Sequence, residues 1–448
     1  MQIVCLLTHV VLCCLLQSTG TPEDEGNAHL YEIRPTAIHA EEIDVPEPTP
    51  QAVSFHESGH WIWLCLKLWS IAVPFLLFVT SASARLRTWS IKWGRHRLPA
   101  GLLFGVAYLA LTTLLALPIN YLIGFVRMHM YGLSHESLAS WAIDEAKELA
   151  LLAALACPGF VVVNWLIGRL PKTWWLACGV LSLPVIVALT LAAPVWIDPL
   201  FHEFHGMKDK ALEARILQLA ARAGIDVDRV FEVDMSRKTT SVNAYVTGLL
   251  GTKRIVLWDT LLEKLEPSEV LSVMGHEMGH FVLNHVVQGV LLASLLVTIG
   301  LGLTHMAATG VLPRLAPLSR VSQLSDFGAL PLLISVGSVV GLALVPLGYA
   351  YSRHIEREAD RFSLELLRDN AAAARAFVSL QRENLGYPRP GAFYQILRST
   401  HPSLGERVDF CNNYRPWERG EPLRYGDLIQ AQPHKNGSVI PRGVEPHL

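Results

Sequence analysis

Apolar residues along this chain come in long unbroken runs. Four follow one another at 59–82, 100–125, 148–168 and 174–197 with short connections, and two more come at 286–308 and 329–351. About 20 consecutive apolar residues carry a helix across a bilayer. A soluble helix would show a polar face at every turn. Six membrane spans are therefore predicted. Pro158 and Asn164 interrupt the third, which a span tolerates when neighbouring helices satisfy the freed polar groups. Residues 1–17, MQIVCLLTHVVLCCLLQ, are apolar and uncharged and precede Ser18-Thr19-Gly20-Thr21. They read either as a signal-peptide core without its basic flank or as a retained, short seventh span.

The polar stretches between the runs are of three kinds. Residues 18–57, rich in Asp, Glu and Pro, predict an exposed, poorly ordered connector. Residues 198–285 predict a helix at Lys208–Ala223, then short strands at Arg229–Val233, Ser241–Thr247 and Lys253–Trp258, where β-branched and aromatic residues alternate with turn signals. A further helix is predicted to start at Pro267, with Ser268 and Glu269 in its first turn. Residues 352–448 read as helix to about 385, and from Pro416 onward as a loose tail rich in Pro, Gly and Arg.

Composition supports the membrane reading, with 51% hydrophobic and only 17% charged residues. Lys and Arg number 37 against 39 Asp and Glu, so no nucleic-acid partner is expected. Of the seven cysteines only Cys411 falls in a polar stretch, which predicts no disulfide framework. The connection 85–97 carries Arg85, Arg87, Lys92, Arg95 and Arg97, and the two other short connections on that face hold Arg169, Lys172, Arg314 and Arg320. Short basic loops mark the cytoplasmic side. Both polar blocks then lie opposite, which in a bacterial inner membrane is the periplasm.

The chemistry concentrates at His276-Glu277-Met278-Gly279-His280. Spacing i, i+4 stacks the two imidazoles on one helix face, where both reach one ion. Zinc suits them, and a catalytic zinc site takes three protein ligands and a water. Glu277 is placed to act as general base on that water. The flanks Val273, Met274, Phe281, Val282 and Leu283 are apolar, so the polar groups sit in a buried helix and need partners. An exposed helix carrying two His by chance would not look like this. A third ligand is expected within Ser352-Arg353-His354-Ile355-Glu356-Arg357-Glu358-Ala359-Asp360. Glu356 and Asp360 share a face, so one can bind metal while the other steadies a ligand His. Spacing leaves that choice open, and also leaves open a merely charged helix end pairing with Arg353, Arg357 and Arg361. A transporter with ionisable groups along its spans is the competing class. The runs hold few such groups, Lys67 and His305 near their ends.

Several motifs in order resemble the type I CAAX prenyl proteases and their bacterial relative HtpX. They are H-E-x-G-H with Leu283-Asn284-His285, then two spans and E-x-x-A-D at Glu356–Asp360. Before these come Asn243-Ala244-Tyr245 with Gly248, Lys253-Arg254-Ile255-Val256-Leu257 and Asp259-Thr260-Leu261-Leu262. After them come Glu383-Asn384-Leu385-Gly386 and His401-Pro402 with Glu406-Arg407. The resemblance implies a membrane-embedded zinc metalloendopeptidase with one zinc held by His276, His280 and Glu356. Asp360 supports the site, and His401 and Arg407 stabilise the substrate oxyanion. Asn243, Ala244 and Tyr245 pair with an extended peptide. It also implies an intramembrane chamber within seven spans, where six are clear here, and in eukaryotic members a cytosolic catalytic side. The fold class that follows is mainly α: a polytopic bundle, a zincin-like helical catalytic part and a small sheet. The expected order is 1–17 leader or span, 18–57 connector, 58–197 four spans, and 198–285 motif region. Then come a 286–351 two-span hairpin, 352–411 with the third ligand, and a 412–448 tail. Partners are a peptide or protein substrate and membrane lipid. HtpX-like quality control of membrane proteins is the alternative role.

Overall fold

A computed structural model describes residues 42–247 and 254–430. The N-terminal apolar segment, Gly248 and Lys253 lie outside the described residues. Six helices among the described residues have the length and apolarity to cross a membrane: Pro50–Val79, Arg97–Met130, Leu138–Arg169, Trp174–Leu200, His285–Ser319 and Phe327–Leu367. They match the six predicted runs and extend beyond them, except that the first ends at Val79, short of 82. We call their regular α-helical parts α1 (Pro50–Val79), α3 (Arg97–Asn120), α4 (Leu138–Arg169), α5 (Trp174–Ala192), α9 (His285–Ser319) and α10 (Leu330–Leu367). A short α2 (Ala82–Gly94) follows the first span.

Successive spans alternate in direction, so the basic connections collect at one end. There Arg87 pairs with Asp326, and Arg97 Nη2 donates to Asn164 Oδ1 at 3.3 Å. Asn164 Nδ2 in turn donates to Ser325 O at 3.1 Å. The polar residue that interrupts the third run is thus satisfied by neighbours, and α4 runs through it and through Pro158 unbroken. Large apolar side chains such as Leu114, Val180 and Leu291 stay exposed on the outer faces of the spans. Such faces are stable only in a lipid surround.

At the other end lies the polar part. Helix α6 (Lys210–Arg222) packs on a sheet of β1 (Phe204–Gly206), β2 (Val230–Val233), β3 (Ala244–Thr247) and β4 (Arg254–Trp258). The sheet order is β1-β2-β4-β3; β2 and β4 are parallel and the outer pairs antiparallel. Three strands match the predicted stretches. β1 was not expected: it is only three residues long, too short for a readable alternation. Next come α7 (Asp259–Lys264) and α8 (Pro267–Val282), which bears the motif. Pro267 occupies the first turn as expected, and Glu266 with Glu269 forms a reciprocal cap. After α10 follow α11 (Asn370–Glu383), α12 (Ala392–Leu397) and α13 (Leu404–Asn413).

Three boundaries differ from the expectation. Helix begins at Pro50, inside the stretch read as connector, because Thr49 caps it by accepting from Ala52 N at 3.1 Å. α10 leaves the membrane without a break, so no boundary falls at 351. Residues 416–430 are not loose. Glu365 accepts from the backbone N of Arg424 and Tyr425 at 3.0 and 2.7 Å, and Tyr425 and Ile429 pack on the apolar core.

Candidate metal centre and active site

The site is built where α8 meets α10. Small residues let the two helices approach. A Cβ on Gly279 would stand 3.1 Å from Ala359 Cα, and one on Gly275 would stand 2.7 Å from Ser363 Oγ. Ser363 Oγ donates to Ser272 O at 2.8 Å across the same seam. This contact carries Glu356 and Asp360 to the two histidines, although 84 residues separate His276 from Asp360.

His276, His280 and Glu356 each offer a ligand atom, all within 4.8 Å of one another. The Nε2 atoms of His276 and His280 are 3.1 Å apart. They lie 3.3 and 3.4 Å from Glu356 Oε2 and Oε1. Glu356 is buried, and its Oε2 has no hydrogen-bond partner. A buried carboxylate oxygen without a hydrogen bond is costly, and a cation among these three groups removes that cost. The donor set of two imidazoles and one carboxylate therefore fits a metal ion.

A second layer fixes the ligands. A metal on Nε2 would leave the proton of His276 on Nδ1, which lies 2.8 Å from Asp360 Oδ1. Arg407 holds Asp360 through Nε at 2.9 Å and Nη2 at 2.6 Å, and its guanidinium stacks 4.0 Å from the Phe377 ring. His280 Nδ1 lies 3.0 Å from Nδ1 of His285, the first residue of α9. The sequence reading quoted His285 as part of a motif but assigned it no task. Its position five residues after His280 was the available signal.

Two cavities meet at the metal group. The first, of about 130 Å³, is lined by Asn243, Ala244, His276, Glu277, His401 and Arg407 among others. The second, of about 390 Å³, runs between the spans. It is walled mainly by apolar residues of α9 and α10 and reaches His280, His285 and Glu356. Desolvation in the cavity wall pushes the Glu277 carboxyl above the ordinary glutamate range. His401 is exposed at the mouth, with Nε2 3.3 Å from Glu356 Oε1. Tyr245 is apart from this group: on β3 it turns to the opposite sheet face, against Val233 and Val256. β3 itself is an outer strand. Its entry is tethered by Val242 N donating to Asn384 Oδ1 at 3.2 Å and by Thr260 Oγ1 donating to Ser241 O at 2.7 Å.

A helix carrying His-Glu-x-x-His, completed by a carboxylate from a membrane-spanning helix, defines a membrane metalloprotease. Residues 207–414 match the model of peptidase family M48, and residues 54–203 match the CAAX prenyl protease N-terminal model, described as five membrane helices. The chain is 37% identical over 352 residues to an uncharacterized metalloprotease, YhfN, of Bacillus subtilis, covering 76% of this chain and 81% of that one. It is 31% identical over 323 residues to CAAX prenyl protease 1 of Saccharomyces cerevisiae, covering 67% and 69%. The crystal structure of S. mikatae Ste24p superposes with a TM-score of 0.72 at 22% identity, covering 81% of this chain and 88% of that chain, which shows the shared fold. This chain belongs to peptidase family M48, in its CAAX prenyl protease-like branch. It is an integral membrane metalloprotease.

Proposed function

We propose that the chain is a zinc endopeptidase that cleaves extended peptide segments at the membrane surface, with His276, His280 and Glu356 as zinc ligands. The orphaned Oε2 of buried Glu356 beside two imidazoles carries this reading. Zinc held by these three residues would supply Lewis acidity for the carbonyl and lower the pKa of a water toward neutrality. Glu277 takes the proton of the attacking water and passes it to the leaving amine. Its raised proton affinity suits both transfers. His401, at the mouth, donates to the carbonyl oxygen as negative charge develops. Asp360 sets the tautomer and direction of His276. Arg407 spends Nε and Nη2 on Asp360, with Nη2 also 3.2 Å from His276 Nδ1, and so acts by positioning that pair. Asn243, Ala244 and the backbone of Tyr245 receive the substrate by strand addition, for which an outer strand beside the cavity is suited.

The substrate class follows from the second cavity. An apolar space opening beside the metal ligands suits a peptide bearing a greasy group, whether a lipid modification or a membrane-embedded segment. The yeast relative is named a CAAX prenyl protease; for this chain we favour membrane-associated protein substrates. The basic connections favour a catalytic end on the non-cytoplasmic side, which in a bacterial inner membrane is the periplasm. Metal analysis tests the ligand set. The purified wild type should hold about one zinc per chain, and His280→Ala and Glu356→Gln much less. Full zinc in both variants rules out the assigned site.

A further inference from the structure

Away from the metal centre, two guanidiniums meet without a counter-charge. Arg398 follows α12, and its side chain lines the apolar cavity between the spans. Its Nη1 is buried and has no hydrogen-bond partner. Its neighbours are the rings of Tyr394, with a centroid 4.8 Å away, and Trp63, at 5.9 Å. Arg127 stands at the catalytic end of the second span. Its Nη2 donates to Phe55 O at 2.8 Å and to Ser58 Oγ at 3.3 Å, and its Nε is buried without a partner. Among the described residues neither guanidinium pairs with a carboxylate.

The two side chains converge over one spot on α1. A Cβ added to Gly59 would lie 3.4 Å from Arg398 Nη2 and 3.7 Å from Arg127 Nη2. Two like charges with desolvated donors raise the free energy of a fold unless an anion joins them. Aromatic faces offset part of this, but rings accept none of the orphaned N–H groups in the plane of the guanidinium. Paired planar forks match the several acceptor oxygens of a phosphate.

The surroundings say which phosphate. The spot lies near the first turns of α1 and the last turns of the Arg97–Met130 span, at the level where a span leaves the bilayer. Trp61 of α1, Met130 at the end of the second span, and Phe393 and Ile396 of α12 are exposed. Aromatic and apolar side chains at a span end mark the headgroup level. Arg398 also opens directly onto the apolar cavity. We propose that Arg127 and Arg398 bind the phosphate of an anionic phospholipid, with its acyl part along the apolar wall next to Trp63. The lipid then closes the gap between α1, the second span and the segment leading to His401.

The test uses the full chain in detergent, titrated with phosphatidylglycerol or phosphatidylcholine and read by native mass spectrometry. The wild type should retain phosphatidylglycerol in preference to phosphatidylcholine. Arg398→Gln and Arg127→Gln should each weaken that retention about tenfold, the scale of one charge-assisted contact. Arg398→Lys, which keeps the charge but not the fork, should fall between. Equal phosphatidylglycerol retention by wild type and both Gln variants overturns the proposal. If Arg398→Gln loses its metal or aggregates, Arg398→Lys and Arg127→Gln decide, and unchanged retention in both overturns it. A second arm compares peptides with free and amidated C-termini. If Arg398→Gln raises KM only for the free acid while lipid retention is unchanged, the pair reads a substrate carboxylate and the lipid assignment is wrong.

Discussion

Glu356 and Asp360 show how far single residues can be read. They share a helix face, so spacing leaves either as the ligand. In the structure Glu356 faces both Nε2 atoms while Asp360 faces Nδ1 of His276 and is occupied by Arg407. Only the rotation of α10 against α8 makes that distinction, and no local pattern encodes it. The His pair and Glu277 were legible because their relation is contained within one helical turn. His285 was quoted without a role because it begins the next helix, and its contact depends on the bend at Asn284, where φ is 56°. His285→Ala should weaken zinc affinity about ten- to a hundredfold while leaving the ligand set intact. Competition with a chelator measures this. An unchanged affinity would mean that His280 is held in some other way.

The elements depend on close approach as much as on apolar pattern. Long runs gave the spans, and alternation gave three of the four strands. The continuity of α10 from membrane to active site was not readable, because its sequence turns from apolar to charged near Ser352 while the backbone continues. The seam between α8 and α10 was also hidden. Gly275 and Gly279 read as ordinary motif spacers, yet Gly279 faces the Ala359 backbone, which cannot move aside as a side-chain end can. Gly279→Val should therefore force the helices apart. A destabilisation of about 1–3 kcal/mol is expected, together with loss of zinc. Thermal unfolding and metal content report the two effects. A variant as stable and as zinc-loaded as wild type would show that the seam tolerates a side chain there.

At the scale of the whole molecule, the site is a product of membrane topology. His276 and Glu356 are separated by two spans, so a fragment of residues 198–285 should not retain zinc at the wild-type affinity. A dialysed fragment with one tightly held zinc would contradict this. Topology also bears on orientation. The basic connections gather at the end opposite the metal, where Arg87 meets Asp326 and Arg97 meets Asn164. An alkaline-phosphatase fusion at Arg382 should be active if that end is cytoplasmic, and an inactive fusion at wild-type abundance would reverse the assignment. The central claim is that a metal held by these helices works with Glu277 as the base. The most direct test is one purified pair, wild type and Glu277→Gln, assayed for zinc and for cleavage of casein. Equal zinc is predicted, with cleavage lower by about 10²–10⁴-fold in the variant. Equal cleavage by both proteins would contradict the account.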